Sequence, residues 1–153
     1  MLGIVLGLAI LIPPVLNSLR DSAPASPSVQ GIFSANMRVL AGCYLGLITG
    51  STASLVTLIL NGIYVGLSWN AMASHVSGWE LMALLAPHGL LEVPGMLLAG
   101  AAGIMGATIA RSAYLGEPGA LQRYIRPLTF AVPASVLLIF IAAIIESWSI
   151  SRL

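Results

Sequence analysis

VLAGCYLGLITGSTASLVTLILNGIYVGLSWNAMASHVSGW, residues Val39–Trp79, contains no formally charged residue. A hydrocarbon core of about 30 Å is crossed by roughly 20 apolar residues in a helix, so this run is too long for one crossing and suits two. The break between them is expected at Gly50-Ser51-Thr52, the most polar short cluster in its first third, with Asn61-Gly62 as the alternative. In the first half Gly42, Gly46 and Gly50 recur every four residues, which puts three patches without side chains on one helix face and lets another backbone approach. Gly62 and Gly66 repeat the spacing in the second half, with Asn61 just ahead as an interhelical hydrogen-bonding group.

The rest of the chain carries the same message. Its 153 residues are 58% hydrophobic and 7% charged, with mean hydropathy +1.00, whereas a soluble domain carries about a quarter charged residues. The composition predicts an integral membrane protein whose first partner is the lipid bilayer: an all-α bundle forming a single transmembrane domain over residues 1–153. A net charge of +1, with six arginines scattered rather than clustered, excludes nucleic acid as a partner. The single cysteine, Cys43, lies in an apolar run and reads as a small buried residue, with no intrachain disulfide available to it.

Five spans are predicted, at 2–19, 36–50, 52–70, 87–110 and 127–146. The first has no charge and ends at Arg20-Asp21; a signal peptide is the second-ranked reading of it, since no basic residue precedes the run. Pro13-Pro14 predicts a kink there. Asp21–Gln30, rich in Pro, Ser and Ala, reads as an irregular loop outside the membrane. Trp69 and Trp79 suit an aromatic belt, and the apolar run after Glu80 is too short to cross, which predicts a short interfacial or re-entrant helix stopping before Pro87. The fourth span is expected to begin at Pro87, because proline in the first helical position forfeits no hydrogen bond. Its second half, Gly100-Ala101-Ala102-Gly103, is small enough to require burial among other helices. Five crossings place the termini on opposite sides. The compact arginines of the Arg111–Arg126 loop assign that loop to the cytoplasmic side of the cell membrane.

The polar chemistry is concentrated in Pro87-His88-Gly89-Leu90-Leu91-Glu92-Val93-Pro94. On a helix His88 and Glu92 share a face one turn apart, and Gly89 leaves that face open beside them. Pro94 cannot donate to the carbonyl of Leu90, so a bend is expected within the same stretch. Broken helices near polar pairs are how transporters build sites. A carboxylate in hydrocarbon must be near the surface, protonated or paired. Two readings stay open: the pair staples this helix to a neighbour through Asn61 or a backbone carbonyl, or it lines a substrate or ion path with Asn61. Glu146, at the end of the last span, either caps that span or joins the cluster.

No metal is expected, because two ligands with no His-Glu-x-x-His motif match a four-coordinate site poorly. No cofactor is expected either. Without a nucleophile motif or a phosphate-cradling glycine loop, no catalytic residue and no enzymatic activity are expected.

The pattern resembles the stage II sporulation protein M family of multi-pass membrane proteins. The resemblance rests on Asn36, the glycines of Gly42 to Gly50, Asn61-Gly62 with Gly66, Pro87-His88-Gly89-x-x-Glu92-x-Pro94, the Gly100-Ala-Ala-Gly103 run and Ile141-Ala-Ala-Ile-Ile-Glu146, in the family's order over about residues 33 to 147. The Pro-His-Gly-x-x-Glu element is its specific part. The nearly charge-free N-terminus departs from the family, where a basic cytoplasmic segment would stand. The resemblance implies a non-enzymatic membrane-complex scaffold or transporter subunit, forming homo-oligomers through small-residue faces or working beside a membrane-complex or ATPase partner. A self-contained channel or exporter for a small solute, ion or peptide is the alternative. The family's name does not imply that the source organism sporulates.

Overall fold

A computed structural model describes residues 28–75 and 77–150, without the side chains of 83–85, 87, 88, 120, 121 and 150. The predicted span 2–19 and most of the Asp21–Gln30 loop lie outside the described residues. Within them the chain builds four helices: α1 (Val29–Tyr44, continued by a 3-10 turn over Leu45–Leu47), α2 (Thr52–Ala73), α3 (Gly78–Tyr114) and α4 (Ala120–Ile150). Among the described residues there is no strand.

α1 starts where Ser28 caps it, its Oγ accepting from Gly31 N at 3.1 Å, so Val29 and Gln30 are helical rather than part of the predicted loop. The break falls at Gly50-Ser51, which hold φ of 59° and 76°. Glycine adopts that conformation freely; serine does so at a cost of about 1–3 kcal/mol. Three hydrogen bonds hold Ser51 there. Its N–H donates to Gly46 O at 2.8 Å, its hydroxyl donates to Ile104 O at 2.6 Å, and its Oγ accepts from Ala107 N at 3.1 Å. The alternative break, Asn61-Gly62, lies inside α2.

α3 differs from expectation. It is one helix of 37 residues that begins at Gly78 and runs through both Pro87 and Pro94, so no separate half-helix stops before Pro87 and Pro87 starts nothing. The physical reason is the cap. The Ser77 side chain accepts from Glu80 N while the Glu80 carboxylate accepts from Ser77 N at 2.9 Å, closing the N-terminus ten residues earlier than the proline. Each proline then removes one backbone bond from a helix that neighbouring helices support.

Three helical segments among the described residues are long and apolar enough to cross a membrane: Thr52–Ala73, Gly89–Tyr114 and Gln122–Ser149. They correspond to the predicted spans 52–70, 87–110 and 127–146. The predicted span 36–50 falls on α1, its 3-10 turn and the reversal, where the α-helix has 16 residues.

α3 and α4 form an antiparallel hairpin, with Gly95 facing Leu138 and Ile139, and α1 and α2 pack on its sides. Leu40, Cys43, Met96, Ala99 and Ile139 form the core, and Phe33 meets Phe140 edge-on at 5.5 Å between ring centres. Towards the Ser51 reversal the packing becomes backbone on backbone. A Cβ placed on Gly103 would lie 1.9 Å from both Cys43 O and Ser54 Oγ, one on Gly106 2.2 Å from Gly46 O, and one on Gly46 1.9 Å from Ser54 Oγ. Gly100 is closed by Leu58, at 2.7 Å. This glycine seam holds the closest approaches made at any glycine among the described residues.

Candidate functional site: a polar joint on α3

Glu92 lies half-buried on α3, about 17 Å along the helix from Gly103 at 1.5 Å per residue. Its carboxylate accepts a hydrogen bond from Asn36 Nδ2 of α1. Glu146 of α4 is close enough to Glu92 to act on it electrostatically, because the antiparallel register set by Gly95 against Leu138–Ile139 brings the end of α4 level with the turn of α3 that holds His88. Glu146 has interactions of its own. α1 and α3 thus meet at a polar point, with the end of α4 about a turn away from it along the axis. The backbone of His88 lies on α3 one turn before Glu92, and its side chain is outside the description.

Asn61 is not the residue that reaches Glu92. Its Nδ2 donates to Met96 Sδ at 3.1 Å, one turn further along the same face of α3. Asn36 fills that role instead, and its signal in the sequence was a lone carboxamide in an apolar helix, a group that needs a partner once buried. Two further cross-helix contacts have the same character: Tyr44 shares a hydrogen bond with Ser135, and Ser54 donates to Cys43 O. On α2 the Thr57 hydroxyl is buried with no hydrogen-bond partner among the described residues.

The glycines divide into two groups. Gly46, Gly100, Gly103 and Gly106 are packing glycines within the chain, and Gly42 is buried on α1. Gly62, Gly66 and Gly89 have open space where a side chain would stand, while Gly50 serves the reversal. Among the described residues no group of three His, Cys, Asp or Glu is placed to hold a metal ion.

Glu80 stands apart from the joint, exposed in the first turn of α3. The backbone N–H and then the hydroxyl of Ser77 hold its carboxyl below the usual carboxylate range.

Three membrane-capable helices, held together by a glycine seam at one end and a carboxylate–amide joint at the other, fit the class of helical membrane proteins. Residues 1–149 match the family Stage II sporulation protein M, and the chain belongs to that family. Comparison with curated proteins and with solved structures gave no match.

Proposed function

We propose that the chain is a non-enzymatic, multi-pass subunit or scaffold of a complex in the cell membrane. The observation that carries this reading is the glycine seam. A water-filled path needs space between helices, and at Gly46, Gly103 and Gly106 the backbones of α1 and α3 leave no room for even a methyl group. The joint supports the same reading, because Asn36 satisfies Glu92 from within the chain, as a staple would.

In this reading the bilayer is framed by aromatic and basic residues. Trp69 and Trp148, both exposed, fall level with the turn of α3 around residue 87. Arg111, Arg123 and Arg126 fall near the level of residue 110. At 1.5 Å per residue the two levels are about 35 Å apart, enough for a hydrocarbon core of about 30 Å. The arginine end is then cytoplasmic by the positive-inside rule. Self-association, where it occurs, has to use the open glycines Gly62, Gly66 and Gly89, since the seam glycines are occupied within the chain.

A channel or exporter is the second reading, favoured by two carboxylates, Glu92 and Glu146, placed on the paired helices α3 and α4 at neighbouring levels of the bundle. Purified protein reconstituted alone in liposomes separates the two. The subunit reading expects no flux of ions or small solutes above empty vesicles. Flux that disappears in Glu92→Gln overturns it in favour of the channel.

A further inference from the structure

The antiparallel register that sets Gly95 against Leu138 and Ile139 also sets the end of α3 beside the start of α4. Arg111 therefore stands level with Arg123, and Arg126 lies about one turn nearer the middle of the bundle. All three are exposed. Their depth follows from the apolar segments that hold them: Arg111 falls within Gly89–Tyr114, and Arg123 and Arg126 within Gln122–Ser149. At 1.5 Å per residue these segments of 26 and 28 residues are about 39 and 42 Å long. Hydrocarbon takes up about 30 Å, and a bilayer with its headgroup layers about 40–45 Å. The outermost turns thus lie among headgroups, and so do the three guanidinium groups, which reach roughly 6–7 Å from the backbone.

The charge at this end does not cancel within the chain. Between residues 93 and 145 the only acid is Glu117, in the turn joining the two helices, and residues 22–79 have none. Glu80, Glu92 and Glu146 stand about 28 Å or more from these arginines along the helices. Asp21 cannot reach them by any path of the segment before α1. It precedes Ser28 by seven residues, at most about 24 Å of extended chain. Ser28 itself lies about 40 Å from the arginine level, since Asn36 is level with Glu92. The run 2–19 carries no charge, so it brings no counter-ion. Three arginines and one glutamate leave a side-chain charge of +2 at this end, whatever course residues 1–27 take.

Arg123 and Arg126 are three residues apart on one edge of α4, and Phe130, one turn beyond Arg126 on the same face, is exposed. The buried residues Ala131, Ser135, Ile139 and Ala142 mark the opposite side of the helix from Arg126 and Phe130. Two cations at headgroup depth above an aromatic ring match a phosphodiester with its acyl chain beneath. An acidic soluble protein fits this edge less well, because Arg126 sits on the hydrocarbon side of Arg123 and a soluble surface stops at the headgroups. We propose that the Arg123–Arg126 edge of α4 binds the headgroup of an acidic phospholipid, with Arg111 adding to the field from the same level.

The proposal rests on the placement of the bilayer above and not on the choice between subunit and channel. Phe130→Trp supplies a reporter one turn from Arg126, with Phe in place of Trp69, Trp79 and Trp148. The full-length protein is reconstituted in phosphatidylcholine vesicles that contain acyl-brominated phosphatidylglycerol or acyl-brominated phosphatidylcholine in both leaflets. Quenching then reads the lipid at this position whichever way the protein inserts. Phosphatidylglycerol is expected to bind about fivefold more strongly than phosphatidylcholine, a preference that falls to near parity in Arg123→Gln/Arg126→Gln and is largely kept in Arg123→Lys/Arg126→Lys. Both arginines are exposed, so the double Gln substitution should leave the unfolding midpoint unchanged, which separates lost binding from lost fold. Equal binding of the two lipids overturns the proposal, as does a preference that survives the double Gln substitution. A short polyglutamate peptide that binds the same vesicles through Arg123 and Arg126, with no preference between the lipids, assigns the edge to an acidic protein and overturns it too. No quenching by either lipid means that no acyl chain reaches Phe130, and overturns it along with the bilayer placement at this edge. None of these results touches the flux experiment, so the subunit reading stands or falls on its own measurement.

Discussion

The two ends of the α1–α3 contact are built on opposite principles. At the glycine seam the helices touch through backbone, with Cys43 O and Gly46 O set against Gly103 and Gly106. At the joint they touch through side chains, Asn36 on Glu92, with prolines in α3 and open glycines nearby. A backbone contact of that kind has one arrangement, because any displacement opens a void or drives atoms together. A hydrogen bond between two rotatable side chains can be broken and remade. The seam therefore fixes α1 and α3 in register, and the joint is the part of the interface that a partner, a proton or a neighbouring helix could alter.

Substitutions should separate the two ends by size of effect. Gly103→Ala puts a methyl group 1.9 Å from both Cys43 O and Ser54 Oγ, and two of the three atoms nearest to it, Cys43 O and Cys43 C, are backbone that cannot rotate away. A loss of about 3 kcal/mol or more is expected, seen as collapse of the unfolding midpoint in detergent. Gly89→Ala meets open space on a helix and should be neutral or stabilising by up to about 1 kcal/mol. Equal losses at the two positions would end the contrast between a fixed end and an adaptable one.

The joint comes next. Asn36→Ala leaves the half-buried Glu92 carboxylate without its donor and should cost about 1–3 kcal/mol. Asn36→Ala with Glu92→Gln in the same chain should recover part of that loss, since a neutral amide is easier to leave in a dry setting than a carboxylate. A double-variant cycle in the same denaturation assay measures the recovery. Strict additivity would mean that the two side chains do not act as a pair.

How much of this was legible in the sequence depends on which atoms carry the contact. The Gly50-Ser51 break and the apolar segments at 52–70, 87–110 and 127–146 could be read because composition and turn chemistry act locally. The start of α3 could not be read from Pro87 alone. Proline at a first helical position and proline inside a supported helix look the same in one dimension, and the Ser77-x-x-Glu80 box that decides between them lay upstream. Glu92 stood out because a carboxylate in an apolar run is rare. Asn36 was passed over as a site residue because its partner is 56 positions away and only the packing of α1 on α3 brings them together. The same holds for the glycines. Spacing marked Gly42, Gly46 and Gly103 as small, but Gly62 and Gly66 share the pattern with no partner among the described residues, so spacing identifies permission to approach rather than an approach made.

The smallest effect belongs outside both regions, at the cap of α3. Ser77 holds the Glu80 carboxyl below its usual range, so the charged form is favoured in the folded helix relative to the unfolded chain. The stabilisation is therefore complete above the ordinary carboxylate range and is lost as pH falls through the depressed folded value. Glu80 is exposed, and solvent and salt screen the interaction, so the helix start frays at acid pH while the seam and its register stay intact. Protection of the amides at Gly78–Leu81, measured against their intrinsic exchange rates at each pH, should fall below about pH 4 in the wild type. Ser77→Ala should already be less protected at neutral pH and show a weaker dependence, since the backbone N–H of residue 77 still donates to Glu80, whereas protection around Gly103 should be the same in both. Acid-dependent exchange that spreads to Gly103 would show that the cap and the seam form one cooperative unit, and that the adaptable end of α3 reaches much further along the helix than the packing implies.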